Sequence, residues 1–358
     1  MLVEHSRARE GATAASTVKV GIVGAGYVAA HHLRAVRDLP FTRVVAIADP
    51  DAEKAQTLAK KFDIPNVYKT LGEMAGDRPD VVHILTPPAL HAALAIQALE
   101  MGAHVFVEKP MADTVEECDR MVAAARRANR VLSVNHSARF DPVVLQAIEL
   151  AKSGAIGDVQ AVHFIRSSDY PAYAGGPLPA PYRQGSYPFR DLGVHGLYML
   201  EQFLGPARDL RVQNYSTGRD PLLTFDEWRA YGEFERGTGY MFLSWNTRPI
   251  QNELHIHGTR GVIHVDCFLQ TCQVSRVYPG PKQIGMVIAG TINALKKSWA
   301  VPRNMLRFIT GSLKPSPGIY RCVQDFHRAL HEGREVPVSA KEGRDAIARI
   351  EGACLLAD

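Results

Sequence analysis

No stretch of this 358-residue chain approaches the roughly 20 consecutive apolar residues that a membrane-spanning helix needs. Cysteine is scarce. The five thiols, Cys118, Cys267, Cys272, Cys322 and Cys354, show no metal-ligand spacing and no even framework. That excludes a disulfide scaffold, offers no metal site, and fits reduced thiols in the cytoplasm. No recognised nucleic-acid-binding module is present, and a formal charge of +4 is too small for a polyanion footprint. Met1 to Thr17 mixes Glu4, Arg7, Arg9 and Glu10 with small residues and lacks an apolar centre. It is expected to be a mobile tail, neither a signal peptide nor a spanning segment.

Negative charge is missing over one long interval. From Cys267 to Arg321 there is no Asp or Glu, while Arg276, Lys282, Lys296, Lys297, Arg303, Arg307, Lys314 and Arg321 are basic. Within it Ile284, Val287, Ile288, Ile292, Leu295 and Trp299 recur at helical spacing beside Lys296 and Lys297. Three readings stay open. The helix packs on its own domain or a sister subunit, draws in an anionic substrate, or makes peripheral membrane contact through 284–299.

What is present is the composition of a globular protein, 46% hydrophobic and 22% charged, long enough for two cores. Residues 18–26 form a β-rich run that breaks at glycines, followed by a helical pattern and a second apolar run ending at Asp49. This is a βαβ unit. The alternation continues through strands at Val81–Leu85, His104–Val107 and Val131–Asn135, which predicts an α/β Rossmann domain over 18–140 with a doubly wound parallel sheet. Beyond it the runs at Val159–Ser167, Gly232–Glu235, Gly239–Trp245, Glu253–His257 and Gly261–Asp266 alternate at strand spacing. Residues 141–358 are therefore expected to form an α+β domain with a largely antiparallel open sheet, used for substrate and oligomerisation. The basic stretch 267–320 reads as an insert.

Two features carry chemistry. In the turn Gly24-Ala25-Gly26-Tyr27-Val28-Ala29, Gly24 permits the tight bend and Gly26 lets a pyrophosphate approach backbone N–H groups, with Tyr27 and Val28 completing the cofactor-facing turn. Asp49 sits where an acid would hydrogen-bond the ribose 2′-hydroxyl and repel a 2′-phosphate, so NAD(H) is favoured over NADP(H). The competing reading is that Asp49 merely caps the next helix. The second feature is Glu108-Lys109-Pro110, which ends an apolar run and presents a lysine at the carboxyl edge of a parallel sheet.

With Thr86-Pro87-Pro88-x-x-His91, Asn135-His136-Ser137-Ala138-Arg139-Phe140-Asp141-Pro142, Asp191-Leu192-Gly193-Val194-His195 and Gly258-Thr259-Arg260-Gly261, these motifs run in order over most of 18–266. The chain thereby resembles the Gfo/Idh/MocA oxidoreductases, relatives of glucose–fructose oxidoreductase and inositol dehydrogenase. The resemblance implies that Lys109 contacts nicotinamide and substrate, that Glu108 helps to place the cofactor, and that the Lys-Pro bond is often cis. Thr86 and Pro87 fall among the cofactor residues, and His91 either approaches the cofactor or caps a helix. Asp191 and His195, four apart, share one helix face. His195 suits the role of base, Lys109 that of alkoxide stabiliser, and Asp191 that of orienting group. Arg139, Tyr187 and Tyr198 are expected on the substrate side. Tyr198 stands where many relatives carry an Asp, and Tyr170, Tyr173, Tyr182, Arg183 and Arg190 could wall the substrate.

The expected function is hydride transfer between nicotinamide and a secondary alcohol or ketone of a sugar, cyclitol or nucleotide-sugar derivative. The expected setting is a cytoplasmic homo-oligomer that binds a small-molecule substrate, an anionic one included. The alternatives are reduction of an unrelated carbonyl or imine, and a non-catalytic dinucleotide-binding regulator or scaffold.

Overall fold

A computed structural model describes residues 17–168, 187–218, 223–278 and 280–355. The predicted N-terminal tail up to residue 16 and the residues Tyr170, Tyr173, Tyr182 and Arg183 lie outside them. The first sheet is built from β1 (Val18–Val23), α1 (Ala29–Arg37), β2 (Thr42–Ala48), α2 (Ala52–Phe62), β3 (Asn66–Tyr68), β4 (Val81–Ile84), α3 (His91–Glu100), β5 (His104–Val107), α4 (Val115–Ala128) and β6 (Leu132–Val134). Its strand order is β3-β2-β1-β4-β5-β6, and every pairing is parallel. The order reverses between β1 and β4, so the carboxyl ends of these two strands open a crevice. Strands β4 and β5 are apolar and buried almost throughout, as a sheet covered on both faces requires.

The rest of the chain supplies α5 (Pro142–Lys152), β7 (Val159–Ser167), α6 (Tyr187–Leu204), β8 (Ala207–Tyr215), β9 (Glu227–Phe234), β10 (Gly237–Ser244), β11 (Asn252–Gly258), β12 (Gly261–Asp266) and β13 (Thr271–Arg276). Their sheet runs β13-β12-β11-β7-β10-β9-β8 and is antiparallel except where β7 pairs with β10. Helix α6 lies on this sheet at close range. A Cβ on Gly196 would come within 2.6 Å of the Met241 sulfur and 2.8 Å of the Phe164 ring. Only glycine allows that approach, and it fixes how deep α6 sits.

Three helices end the described chain: α7 (Lys282–Ile309), α8 (Pro317–His331) and α9 (Ala340–Leu355). Helix α8 returns to the first sheet. Its Cys322, Val323 and Phe326 join the core of β1, β4 and β5, and Phe326 stacks on Phe106 with ring centroids 4.6 Å apart. Fully burying a phenylalanine stabilises the fold by about 1.5–3 kcal/mol, so the late helix is part of what holds the early sheet.

Candidate active site

The glycine turn is fixed by sterics and one carboxylate. Gly24 has φ +100°, and a Cβ there would lie 2.6 Å from the Leu85 carbonyl oxygen. Asp49 Oδ2 accepts from the Ala25 N–H at 2.6 Å, while its Oδ1 accepts from the Asp51 N–H at 2.8 Å. The α2 cap is Asp51, which accepts from the Lys54 N–H, so Asp49 braces the turn instead of capping the helix. Beyond the turn, Val28 precedes α1 with no side-chain cap, and the Ala29 and His31 N–H groups donate to the Gly26 and Val28 carbonyls at 3.1 and 2.9 Å. Gly26 has nothing within 4 Å of its Cβ position, and Tyr27 is exposed. Along the crevice Thr86 Oγ1 is buried without a hydrogen-bond partner. Open space over Gly26 and an orphan hydroxyl at Thr86 together fit a dinucleotide.

At the end of β5, Glu108 and Lys109 point in opposite directions. Glu108 faces the core: His32 Nε2 lies 2.9 Å and Asn135 Nδ2 2.5 Å from its Oε1, and its Oε2 accepts from the Lys109 N–H at 3.2 Å. Burial opposes its ionisation, but the bonds from His32 and Asn135 and the Lys109 charge outweigh it. The carboxyl therefore stays below its ordinary value. Glu108 thus ties the lysine's strand to α1, which carries the glycine turn. His91 is buried, its ring nitrogens 2.9 Å from the Pro110 carbonyl and 2.8 Å from that of Thr86. It staples two loops of the crevice together. The Lys109-Pro110 bond is cis.

Lys109 reaches into the cleft between the two sheets. Its Nζ lies 2.5 Å from Asp191 Oδ1 and 3.3 Å from the Asp191 carbonyl, with both side chains about one-fifth exposed. Asp191 and Pro110 line a cleft with Pro88, Asp113, Arg190 and Glu351. One turn along α6, His195 is buried, and its Nδ1 lies 2.5 Å from the Tyr198 hydroxyl. Burial, then the charges of Arg166 and Lys109, push His195 well below the ordinary histidine range, so it is neutral at pH 7. Its Nε2 has no protein partner among the described residues.

Lys109, Asp191 and His195 thus come together, beside the turn of Gly24 and Gly26. Tyr198 and Arg139 do not join them. Tyr198 is buried behind His195, stacked on His136 at 4.4 Å, and Arg139 pairs with Glu342 at 3.1 Å. Both line a rear polar cavity of about 220 Å³, with Glu201, Asp345 and Arg349. Tyr187 opens α6, and its side chain is outside the described residues. The sequence reading missed Arg166, the cation on β7 that acts on His195, because a polar residue in a half-exposed alternating strand carries no signal of its own. It also left out Asn135 as a partner of Glu108, although that residue stood within a matched motif.

Residues 18–136 match the family model described as an oxidoreductase family with an NAD-binding Rossmann fold, and 144–264 match the GFO/IDH/MocA C-terminal domain. The chain is 32% identical to the levoglucosan dehydrogenase of Pseudarthrobacter phenanthrenivorans over 69% of its own length and 73% of that protein. It is 28% identical to the D-apiose dehydrogenase of Paraburkholderia graminis over 58% of its own length, a match that spans only 56% of the relative. A solved levoglucosan dehydrogenase in complex with NADH and levoglucosan superposes with a TM-score of 0.76 over 96% of this chain and 97% of that one. At 23% identity the superposition speaks for the fold alone.

Proposed function

This chain belongs to the Gfo/Idh/MocA oxidoreductase family, and from that premise we propose that it transfers a hydride between NAD(H) and a secondary alcohol or ketone of a sugar, cyclitol or sugar derivative. The observation that carries the reading is the Lys109–Asp191 pair, with a neutral His195 one helical turn away, at the mouth of the dinucleotide crevice. The nicotinamide, when bound, takes up or gives back the hydride. In the oxidising direction the substrate C–H bond breaks with its electron pair and a carbonyl forms, and the hydroxyl proton moves to His195 Nε2. Nδ1–H then donates to Tyr198, whose hydroxyl oxygen also accepts from the Ala138 N–H at 3.3 Å. That leaves the tyrosine's own hydrogen for the rear cavity. Burial raises the Tyr198 phenol far above its ordinary value, so it stays protonated and can hold the imidazole in this tautomer.

Lys109 stabilises the developing alkoxide, and Asp191 holds the ammonium in place. Arg166, near His195 and without a carboxylate partner among the described residues, is assigned to a polar or anionic substituent of the substrate. Asp49 supports NAD(H), since a carboxylate beside the turn repels a 2′-phosphate. The domain division near residue 140, a cytoplasmic setting and self-assembly belong to the same reading. The test is Lys109→Ala, assayed on a panel of pyranoses and cyclitols. Turnover should fall by about 10³-fold, while calorimetry still shows NADH binding, tighter than NADPH. Normal turnover would sink the mechanism, and tighter NADPH binding the cofactor choice.

A further inference from the structure

Helix α7 is turned inside out. A surface helix ordinarily lays its apolar stripe on the core and leaves its polar face in water. Here the latches to the sheet are amides. Asn293 Nδ2 donates to Ser275 Oγ at 2.8 Å, Gln273 Nε2 donates to the Asn293 carbonyl at 3.0 Å, and Asn304 Nδ2 donates to the Gln270 carbonyl at 2.7 Å. Asn293 and Asn304 are about three turns apart, so both latches lie on one side. On the other side Ile284, Ile288, Leu295, Trp299 and Leu306 recur at intervals of four and seven and share one face. All five are exposed, Leu295 and Trp299 at 67% each. A contiguous apolar face of this kind marks a contact surface.

Charge selects what the face contacts. Lys282, Lys296, Lys297, Arg303 and Arg307 are exposed along the helix, and Arg303 lies over the Trp299 ring at 5.0 Å. No acidic residue occurs between Asp266 and Asp325. Across a twofold axis a second copy of α7 would oppose cation to cation with no carboxylate in the segment to answer it. An anionic lipid surface satisfies both properties at once, because headgroup phosphates take the cations while the apolar face enters the acyl boundary. No helix among the described residues is long and apolar enough to cross a membrane. At about 1.5 Å per residue, α7 offers about 42 Å of in-plane contact. We propose that α7 docks this protein on an anionic bilayer, lying flat with its apolar face in the headgroup–acyl boundary.

The test floats the full chain with phosphatidylcholine vesicles that contain or lack phosphatidylglycerol, and follows tryptophan emission. Trp228 and Trp245 are buried, so a blue shift on vesicle addition reports Trp299 and should vanish in Trp299→Phe. Retention is expected only on the anionic vesicles. It should weaken about thirtyfold with Lys296→Ser and Arg303→Ser together, the two cations that flank the apolar face, and be lost with Leu295→Glu and Trp299→Glu together. Unchanged thermal melting followed by circular dichroism shows that the variants fold, and if the glutamate pair does not, the serine pair decides. Failure of anionic vesicles to retain the protein at low salt overturns the proposal. A concentration-dependent dimer broken by the glutamate pair, without vesicle retention, gives the face to a second copy instead. None of these readouts depends on the oxidoreductase reading.

Discussion

Two groups of buried histidines stand on either side of Glu108-Lys109, and the difference between them separates structure from chemistry. Behind Glu108, His32 Nδ1 lies 3.0 Å from His83 Nδ1, and His83 Nε2 lies 2.9 Å from His327 Nε2. One tautomer assignment satisfies all three contacts, running outward from the carboxylate. His32 donates to Glu108, His83 to His32 and His327 to His83, ending at the buried, unpartnered His327 Nδ1. In front of Lys109, His195 spends one nitrogen on Tyr198 and keeps the other for the cleft. Burial lowers the basicity of His83, His327 and His195 alike. A depressed pKa therefore does not single out His195 as the proposed base; a nitrogen left free beside a paired lysine does.

The sharpest way to break this contrast is to remove one histidine from each side. His195→Asn should lower kcat by about 10²–10⁴-fold, the range of a lost general base, with NADH affinity and melting temperature nearly unchanged. His327→Leu should do the reverse, sparing kcat while altering unfolding. Equal losses of turnover in the two variants would erase the distinction.

The rear group makes its own prediction with pH. The native protein holds His83 and His327 neutral, while the unfolded chain protonates them below about pH 6.5. The unfolded state then binds more protons, so stability is fully present above that pH and falls as pH drops. The slope is about 1.4 kcal/mol per pH unit for each histidine. For His327 the loss continues toward its native value of about 3. Urea unfolding at several pH values between neutrality and mild acid should show this limb. In His327→Leu it should flatten by one histidine's share, and an unchanged slope would mean that this ring is protonated in the native state.

Why the front of the site was legible and the rear was not follows from the range of the signals. Gly24, Gly26, Asp49, Lys109, Asp191 and His195 belong to short motifs whose local geometry implies a ligand, and the structure gathers them. His83 and His327 are 244 residues apart, and nothing near either one announces the other. The same holds for α8, whose return to the first core depends on contacts such as Phe106–Phe326. Strand β3 has three residues, too few for a period, and β8 turns only Leu210 and Val212 fully inward. Helix α5 was legible in principle: Asp141 accepts from the Val143 N–H and Pro142 takes the first helical position.

Tyr198 stands on the boundary between the two groups, and the smallest predicted effect tests it. Tyr198→Phe keeps the ring on His136 and deletes the hydroxyl that receives His195 Nδ1–H. That hydrogen bond favours the imidazolium over the neutral ring, so its loss makes His195 a weaker base. Turnover should fall by about tenfold, the share of one neutral hydrogen bond. The acid limb of kcat/KM should also move to lower pH, because a weaker base stays unprotonated further into acid. A merely structural tyrosine would lower activity at every pH and leave the limb in place. An unmoved limb would therefore place Tyr198 with the rear histidines, as packing, and leave His195 to act without a partner on its inner nitrogen.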